Sequence, residues 1–229
     1  MKKSPYLWLP LAAVFLFSYL DAQAQLNVGI RGGVNFANFG PENVISFKAR
    51  TRANFAVMFN VPVSPLLSIQ IEPGFSQRGA KYDISSVLMS TGISMKSESN
   101  GKISANYIEL PLLFQYRPKI GKLEGILSLG PELRFRAGEA TVDFVDRQYQ
   151  EGVLIAERSE KLSLSANDNF HDFDYGLAGG AGIAYPMRTF KIFTEARYHL
   201  GLRKLYVEGV DMYNRGASVH IGVTVPVRR

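Results

Sequence analysis

The sequence predicts an all-β chain, a single eight-stranded antiparallel up-and-down transmembrane β-barrel. Strict two-residue alternation, a regular order of short and long connections, and the lack of any apolar run long enough for a spanning helix beyond the N-terminus lead there. Residues 173–185, FDYGLAGGAGIAY, show the alternation most clearly. Phe173, Tyr175, Leu177, Gly179, Ala181, Ile183 and Tyr185 share one face, while Asp174, Gly176, Ala178, Gly180, Gly182 and Ala184 share the other. Period two is a strand, because successive side chains leave opposite faces. A soluble sheet would place Lys, Glu and Thr on its wet face, not Gly and Ala. A narrow membrane barrel sends the apolar row to lipid and the small row into a crowded lumen.

Seven further segments follow the same rule. In 26–37, Leu26, Val28, Ile30, Val34 and Phe36 face out against Asn27, Gly29, Arg31, Gly33 and Asn35. Segment 52–61 sets Phe55, Val57, Phe59 and Val61 against Asn54, Ala56, Met58 and Asn60. Segment 67–78 sets Leu67, Ile69, Ile71 and Phe75 against Ser68, Gln70, Glu72, Ser76 and Arg78. Segment 102–117 sets Ile108, Leu110, Leu112, Phe114 and Tyr116 against Tyr107, Glu109, Gln115 and Arg117. In 123–136, Leu127, Leu129, Leu133 and Phe135 oppose Glu124, Ser128, Glu132, Arg134 and Arg136. In 191–202, Ile192, Ala196, Tyr198, Leu200 and Leu202 oppose Glu195, Arg197 and His199. Segment 216–227 closes with Ala217, Val219, Ile221, Val223, Val225 and Val227 against Ser218, His220, Gly222 and Thr224. Pro73 and Pro111 fall inside two of these segments and mark bulges or shifted ends, since Pro cannot donate to a ladder.

The connections 62–66, 118–122 and 186–190 are short and contain Pro, whereas 38–51, 79–101, 137–172 and 203–215 are long. Short periplasmic turns and longer external loops are the pattern of outer-membrane barrels. Within 137–172, Val153, Leu154, Ile155 and Ala156 allow a hairpin that extends strands beyond the membrane.

The compartment follows from the first residues. Lys2 and Lys3 precede an apolar run over 6–20, and Ala22-Gln23-Ala24 supplies a small-residue cleavage site. This is a secretory signal peptide over 1–24, leaving a single barrel domain over 25–229. The chain has no cysteine, so closed sheet pairing or a core must hold it. A net charge of +6 with both signs scattered argues against nucleic acid and suits anionic headgroups of outer-membrane lipids.

Particular runs of residues resemble a known family. They are Ile71-Glu72-Pro73-Gly74-Phe75-Ser76-Gln77-Arg78-Gly79, Asn106-Tyr107-Ile108-Glu109-Leu110-Pro111-Leu112-Leu113, Phe173-Asp174-Tyr175-Gly176 with Gly179-Gly180-Ala181-Gly182, and Glu195-Ala196-Arg197-Tyr198. With Val28-Gly29-Ile30-Arg31-Gly32-Gly33-Val34-Asn35 they make the chain similar to the PorT-like outer-membrane β-barrel family of Gram-negative bacteria. The resemblance spans the mature chain. It implies a barrel inserted by the barrel-assembly machinery, with a secretion or surface protein as partner; the family's namesake is implied in type IX secretion. The basic ending Val225-Pro226-Val227-Arg228-Arg229 departs from the aromatic end usual in such barrels.

The inward rows carry Arg31, Glu72, Arg78, Glu109, Arg117, Glu124, Glu132, Arg134, Arg136, Asp174, Glu195 and Arg197. A charge-lined pore is one use of them. A packed lumen of ion pairs is the expected one, because eight strands leave room only for side chains. Ser218, His220, Glu195 and nearby His199 contain the residue types of a hydrolase triad, which would make a lipid-modifying enzyme. They face the lumen, away from a lipid substrate, and no Gly-x-Ser-x-Gly elbow is present. His171 with Asp168, Asp172 and Asp174 lacks the spacing of a calcium loop, so no metal or cofactor is expected. Phe36, Phe55, Phe75, Phe135, Phe173, Tyr175 and Tyr198 fall at the long-loop ends of their strands, and Tyr116, Tyr185 and Phe190 at the short-turn ends. Two interfacial girdles would look like this. The expected function is a non-enzymatic structural or interaction barrel, acting through its external loops or periplasmic turns; a small porin-like channel is the alternative.

Overall fold

The computed structural model describes residues 26–40, 47–90, 92–164, 171–205 and 212–227. The signal-peptide reading falls on residues 1–24, outside the described residues. The elements are β1 (Asn27–Gly40), β2 (Phe47–Pro62), β3 (Leu67–Ile71), β4 (Gly74–Ser90), β5 (Ile93–Tyr116) and β6 (Lys119–Ile120). They continue with β7 (Leu123–Arg136), β8 (Ala140–Gln150), β9 (Val153–Leu164), β10 (Phe173–Pro186), β11 (Lys191–Gly201) and β12 (Tyr213–Pro226).

Antiparallel pairing runs from β1 to β2, then to β3 and β4, which act as one interrupted strand, then to β5. It passes from β5 to β7, β10, β11 and β12, and β12 returns to β1 over 27–40. The circuit is closed, with eight strands in the wall. Closure leaves no open edge where water cannot reach one. The break between β3 and β4 sits at Glu72-Pro73. Pro73 has no N–H, and its carbonyl accepts from Val57 N at 3.0 Å while Glu72 N donates to Pro111 O at 3.2 Å. Pro111 itself stays within β5, opposite Glu132.

Segment ends match the alternation at β7, β10 and β11 to within a residue. They differ where the expected long loops begin. β2 starts at Phe47, β4 continues to Ser90, and β5 starts at Ile93. The expected loop 79–101 is therefore mostly a hairpin rather than a loop, its two arms paired from Gly79–Ser104 to Ser90–Ile93. β8 and β9 form a second hairpin, and β8 adds to the β5 side of the first through Ser104–Thr141 to Met95–Gln150. Together β4, β5, β8 and β9 make a four-stranded sheet that leaves the barrel wall at the long-connection end.

The outward row is apolar and exposed on Ile30, Phe55, Phe114, Leu129, Ile183 and Ile221. Gly180 and Gly182 show why the inward row of β10 is small. A Cβ on Gly180 would stand 2.5 Å from Ala196 O and 2.6 Å from Arg197 Cγ, and one on Gly182 would stand 2.3 Å from Thr194 O. These glycines let the long side chains of β11 lie flat across their neighbour.

Because the wall closes without β8 or β9, replacing residues 140–164 with a short Gly-Ser linker should leave the barrel folded. Heat-modifiable gel mobility in detergent should persist; loss of the fast-migrating folded band would show that the hairpin is needed for closure.

Candidate functional site

The lumen is filled in layers. Near the short turns, Met58, Ile126, Ala184 and Phe193 form a buried apolar cluster. Toward the other end, Ala80, Ile103, Ala105, Tyr107, Ala140, Leu205 and Met212 form a second, with Tyr82, Val142 and Leu164 packed against it. Charged side chains occupy the space between. Arg31, Glu72, Arg78, Glu109, Glu132, Arg134, Asp174, Glu195 and Arg197 are all buried.

Glu72 is the hub of one network. It accepts from Arg31 Nε at 2.7 Å and from both terminal nitrogens of Arg197 at 2.6 Å, with Gln70 donating to its other oxygen. The paired contact from Arg197 is the strong, directional form of a guanidinium–carboxylate pair. Arg31 also donates to Asn54 Oδ1 at 2.6 Å, and Asn54 donates to Asn35. Arg197 donates to Glu195 at 2.7 Å, and Ser128 donates to the same carboxylate. Thus Arg197 of β11 crosses the lumen to Glu72, which lies four strands away in the wall, and Arg31 of β1 meets it there.

Glu132 is the hub of the second. Arg134 donates to it at 2.6 Å, Arg78 lies at 3.4 Å, and His199 Nδ1 lies at 2.9 Å. Arg78 Nε donates to Glu109 at 2.7 Å, and Arg134 donates to Asp174 at 2.7 Å. Asn214 also donates to Asp174, at 2.8 Å. Arg117, half-buried at the short-turn end, pairs instead with Glu124 at 2.5 Å, and Lys191 reaches the same carboxylate at 2.6 Å. Arg136 lies at the opposite rim, paired with Asp172.

The Ser-His-acid chain differs from the one expected. Ser218 bonds to Nε2 of His199 at 2.8 Å, whose Nδ1 faces Glu132. His220 Nδ1 has no hydrogen-bond partner among the described residues, and Glu195 belongs to Arg197 and Ser128. The order nucleophile, base, acid is that of a hydrolase. Ser218 is however 0% exposed, inside a packed lumen, with backbone pairing to Asn35 on one side and Arg197 on the other. Sequence alternation missed His199 as the partner because Ser218 and His220 share a strand, whereas His199 leans in from β11 opposite Gly216.

The described residues weighed against a calcium loop each have other partners. Asp172 holds Arg136, Asp174 holds Arg134, and His171 Nδ1 faces Arg203 at 3.2 Å. Asp168 lies outside the described residues.

The aromatic residues stand on the outer wall. Phe55, Phe75, Ile108, Phe135 and Phe173 lie directly opposite one another across successive strands. Rings meet at 5.5 Å for Phe55 and Phe75 and at 5.1 Å for Phe135 and Phe173. Tyr175 touches Phe173 at 6.1 Å. Across the other side of the wall Phe36 and Tyr198 flank Ala217. Tyr116 and Tyr185 are exposed at the short-turn end. A depression of about 600 Å³ on the outer wall, lined by Ile30, Phe55, Val57, Ile192, Ile221 and Val223, would be filled by acyl chains.

Removing one partner of a buried ion pair leaves an uncompensated charge and costs ~3–5 kcal/mol. Arg197→Met should therefore lower unfolding stability in detergent by about that amount. The double change E72Q/R197M should recover part of it. Urea titration of the folded gel band measures both; a single-variant loss near zero would show that the network is not holding the wall.

Several solved structures resemble this one at low identity. Neisserial surface protein A shares 12% identity with a TM-score of 0.45, over 88% of this chain and 97% of that one. OprG from Pseudomonas aeruginosa shares 13% with a TM-score of 0.40, over 90% and 98%. Ail, the attachment invasion locus protein of Yersinia pestis, shares 13% with a TM-score of 0.36, over 89% and 99%. No curated protein matches the chain. Residues 21–207 match the family described as outer membrane protein beta-barrel domain, which is most of the chain, and the protein belongs to that family of outer-membrane β-barrels.

Proposed function

We propose that the protein is a non-enzymatic interaction barrel, which presents the sheet of β4, β5, β8 and β9 to protein partners at the cell surface. Short turns of such barrels face the periplasm and long connections face outward. The sheet therefore stands outside the cell, after export and removal of residues 1–24. The carrying observation is at its far end. Leu88 is 71% exposed and Met89 82%, beside exposed Val87, Ile93, Met95, Val153 and Leu154. Exposed apolar patches of this kind mark interaction surfaces. Here they tip a rigid sheet rather than a polar loop.

The lumen supports the same reading. Charges paired across it, with an apolar cluster above and below, suit a plug rather than a path for solutes. The wall contacts outer-membrane lipids, and the barrel-assembly machinery inserts it. Within the family, a PorT-like assignment would make the partner a component or client of protein secretion.

Two measurements bear on this. A photo-crosslinking residue at Leu88 or Val153 in living cells should give protein adducts, while one at Val63 in a short turn should give none of the same mass. Absence of any adduct at the sheet would overturn the reading. In planar bilayers the folded chain should show no conductance steps, and regular steps would favour the porin-like alternative.

A further inference from the structure

β9 is one outer edge of the protruding sheet, opposite the edge formed by the far half of β4. Its 12 residues, VLIAERSEKLSL, pair with β8 on one side only among the described residues. The far edge presents a row of unpaired N–H and C=O groups, a template for another strand. Natural edges are often blunted by charge of one sign, which repels a second copy of itself. The centre of β9 carries both signs, in the order Glu157-Arg158-Ser159-Glu160-Lys161.

Two copies of one edge that meet antiparallel are related by a two-fold axis normal to the sheet, so the interface is isologous. Opposite residues must also share a face, which restricts the axis to a residue position. Centring it on Glu157, Arg158, Glu160 or Lys161 would place that charge against itself. Centring it on Ser159 places Glu157 opposite Lys161 and Arg158 opposite Glu160, each twice. Outside these, Ala156 meets Leu162 and Leu154 meets Leu164. Across β8 the charges already alternate, with Arg147 Nε on Glu157 at 2.9 Å, Asp146 opposite Arg158 and Asp143 opposite Lys161. A second copy extends that ladder without a like-charge step: Arg147, Glu157, then Lys161 and Asp143 of the other copy.

We infer that β9 pairs with β9 of a second copy of this chain, antiparallel and centred on Ser159, joining two four-stranded sheets into one. This rests on the reading of the sheet as an interaction surface and names its partner. β4 and β5 run unbroken from the barrel wall into the sheet. A two-fold normal to that sheet therefore crosses the barrel axis, and the two barrels point in opposite directions. The copies belong to facing membranes. One strand pair is a small interface, so holding membranes together would depend on many copies acting at once.

The chain has no cysteine, so Ser159→Cys introduces a single thiol. Opposite residues in an antiparallel pair have Cα atoms about 4.5–5.5 Å apart, within disulfide reach. Folded S159C chain carrying either of two tags is reconstituted into separate vesicles, which are then mixed under mild oxidation. Disulfide dimers containing both tags are expected. Adding Glu157→Lys or Lys161→Glu to this background should lower their yield about tenfold, since opposed charges become like charges at two positions. The double change E157K/K161E should restore it, although it keeps both disturbances on the β8 side. Dimers that form only when both tags share a vesicle, or a double variant as poor as the singles, would overturn the inference. So would absence of dimer while photo-adducts to a different protein persist at Leu88, an outcome that leaves the sheet as an interaction surface. No adduct and no dimer would remove both readings.

Discussion

Hydrocarbon offers the backbone no hydrogen bonds, and the rest of the structure follows from that constraint. Each N–H and C=O that crosses the membrane must be satisfied by another strand, so the sheet has to close. Here β12 meets β1 along 14 paired positions, a seam as long as the strands themselves. Closure with eight strands sets the bore, and the bore sets the inner row. Side chains there cannot reach water, so charges must satisfy each other. Glu72 shows the consequence: it lies where Pro73 interrupts the wall, and Arg31, Arg197 and Gln70 converge on it.

The same constraint explains where the fold relaxes. Beyond the membrane, water can solvate an open edge, and among the described residues the open edges lie there. β8 and β9 are exposed or half-buried along nearly their whole length, without the deep inward row that marks the barrel strands. Tyr82 illustrates how this sheet is held without a lumen. It lies opposite Gly101, where a Cβ would stand 2.1 Å from its ring, so the ring covers a gap its partner leaves. Packing within the sheet and against the apolar cap of the barrel replaces the buried ion pairs.

Legibility in the sequence follows this division. In the membrane, two solvents that could hardly differ more press on the two faces, and the rows of β7, β10 and β11 separate cleanly at Leu127, Leu129 and Leu133 or at Glu195, Arg197 and His199. Above it, both faces of the sheet meet water, and Ser85, Ser86, Ser97 and Ser99 read as loop. Only Val153, Leu154, Ile155 and Ala156 gave a sign of structure, and the hairpin they belong to pairs with β5 rather than prolonging wall strands. Inside the barrel, alternation places a residue in the lumen but cannot say whom it meets. Arg197 finds Glu72 across the bore and His199 finds Glu132 past the intervening β10, which depends on strand stagger rather than on spacing in the chain. Spacing in the chain therefore points Ser218 to His220, two residues away, whereas its partner in the fold is His199.

These features divide labour along the barrel axis. A lumen tied at Glu72 and Glu132 and closed by apolar clusters makes the wall stiff, and a stiff wall is a good base for strands that continue outward from it. On the proposed reading, recognition takes place beyond the last buried residues of β4 and β5, where exposed apolar tips and an open edge occur together. An edge with one sign of charge would keep copies apart, and an uncharged edge would pair with almost any strand in any register. The mixed sequence of β9 does neither: it penalises the registers centred on its charges and sets every charge against its opposite in the one centred on Ser159. Selectivity of that kind requires a rigid strand, and the continuous ladder from β12 through the wall to β8 supplies it.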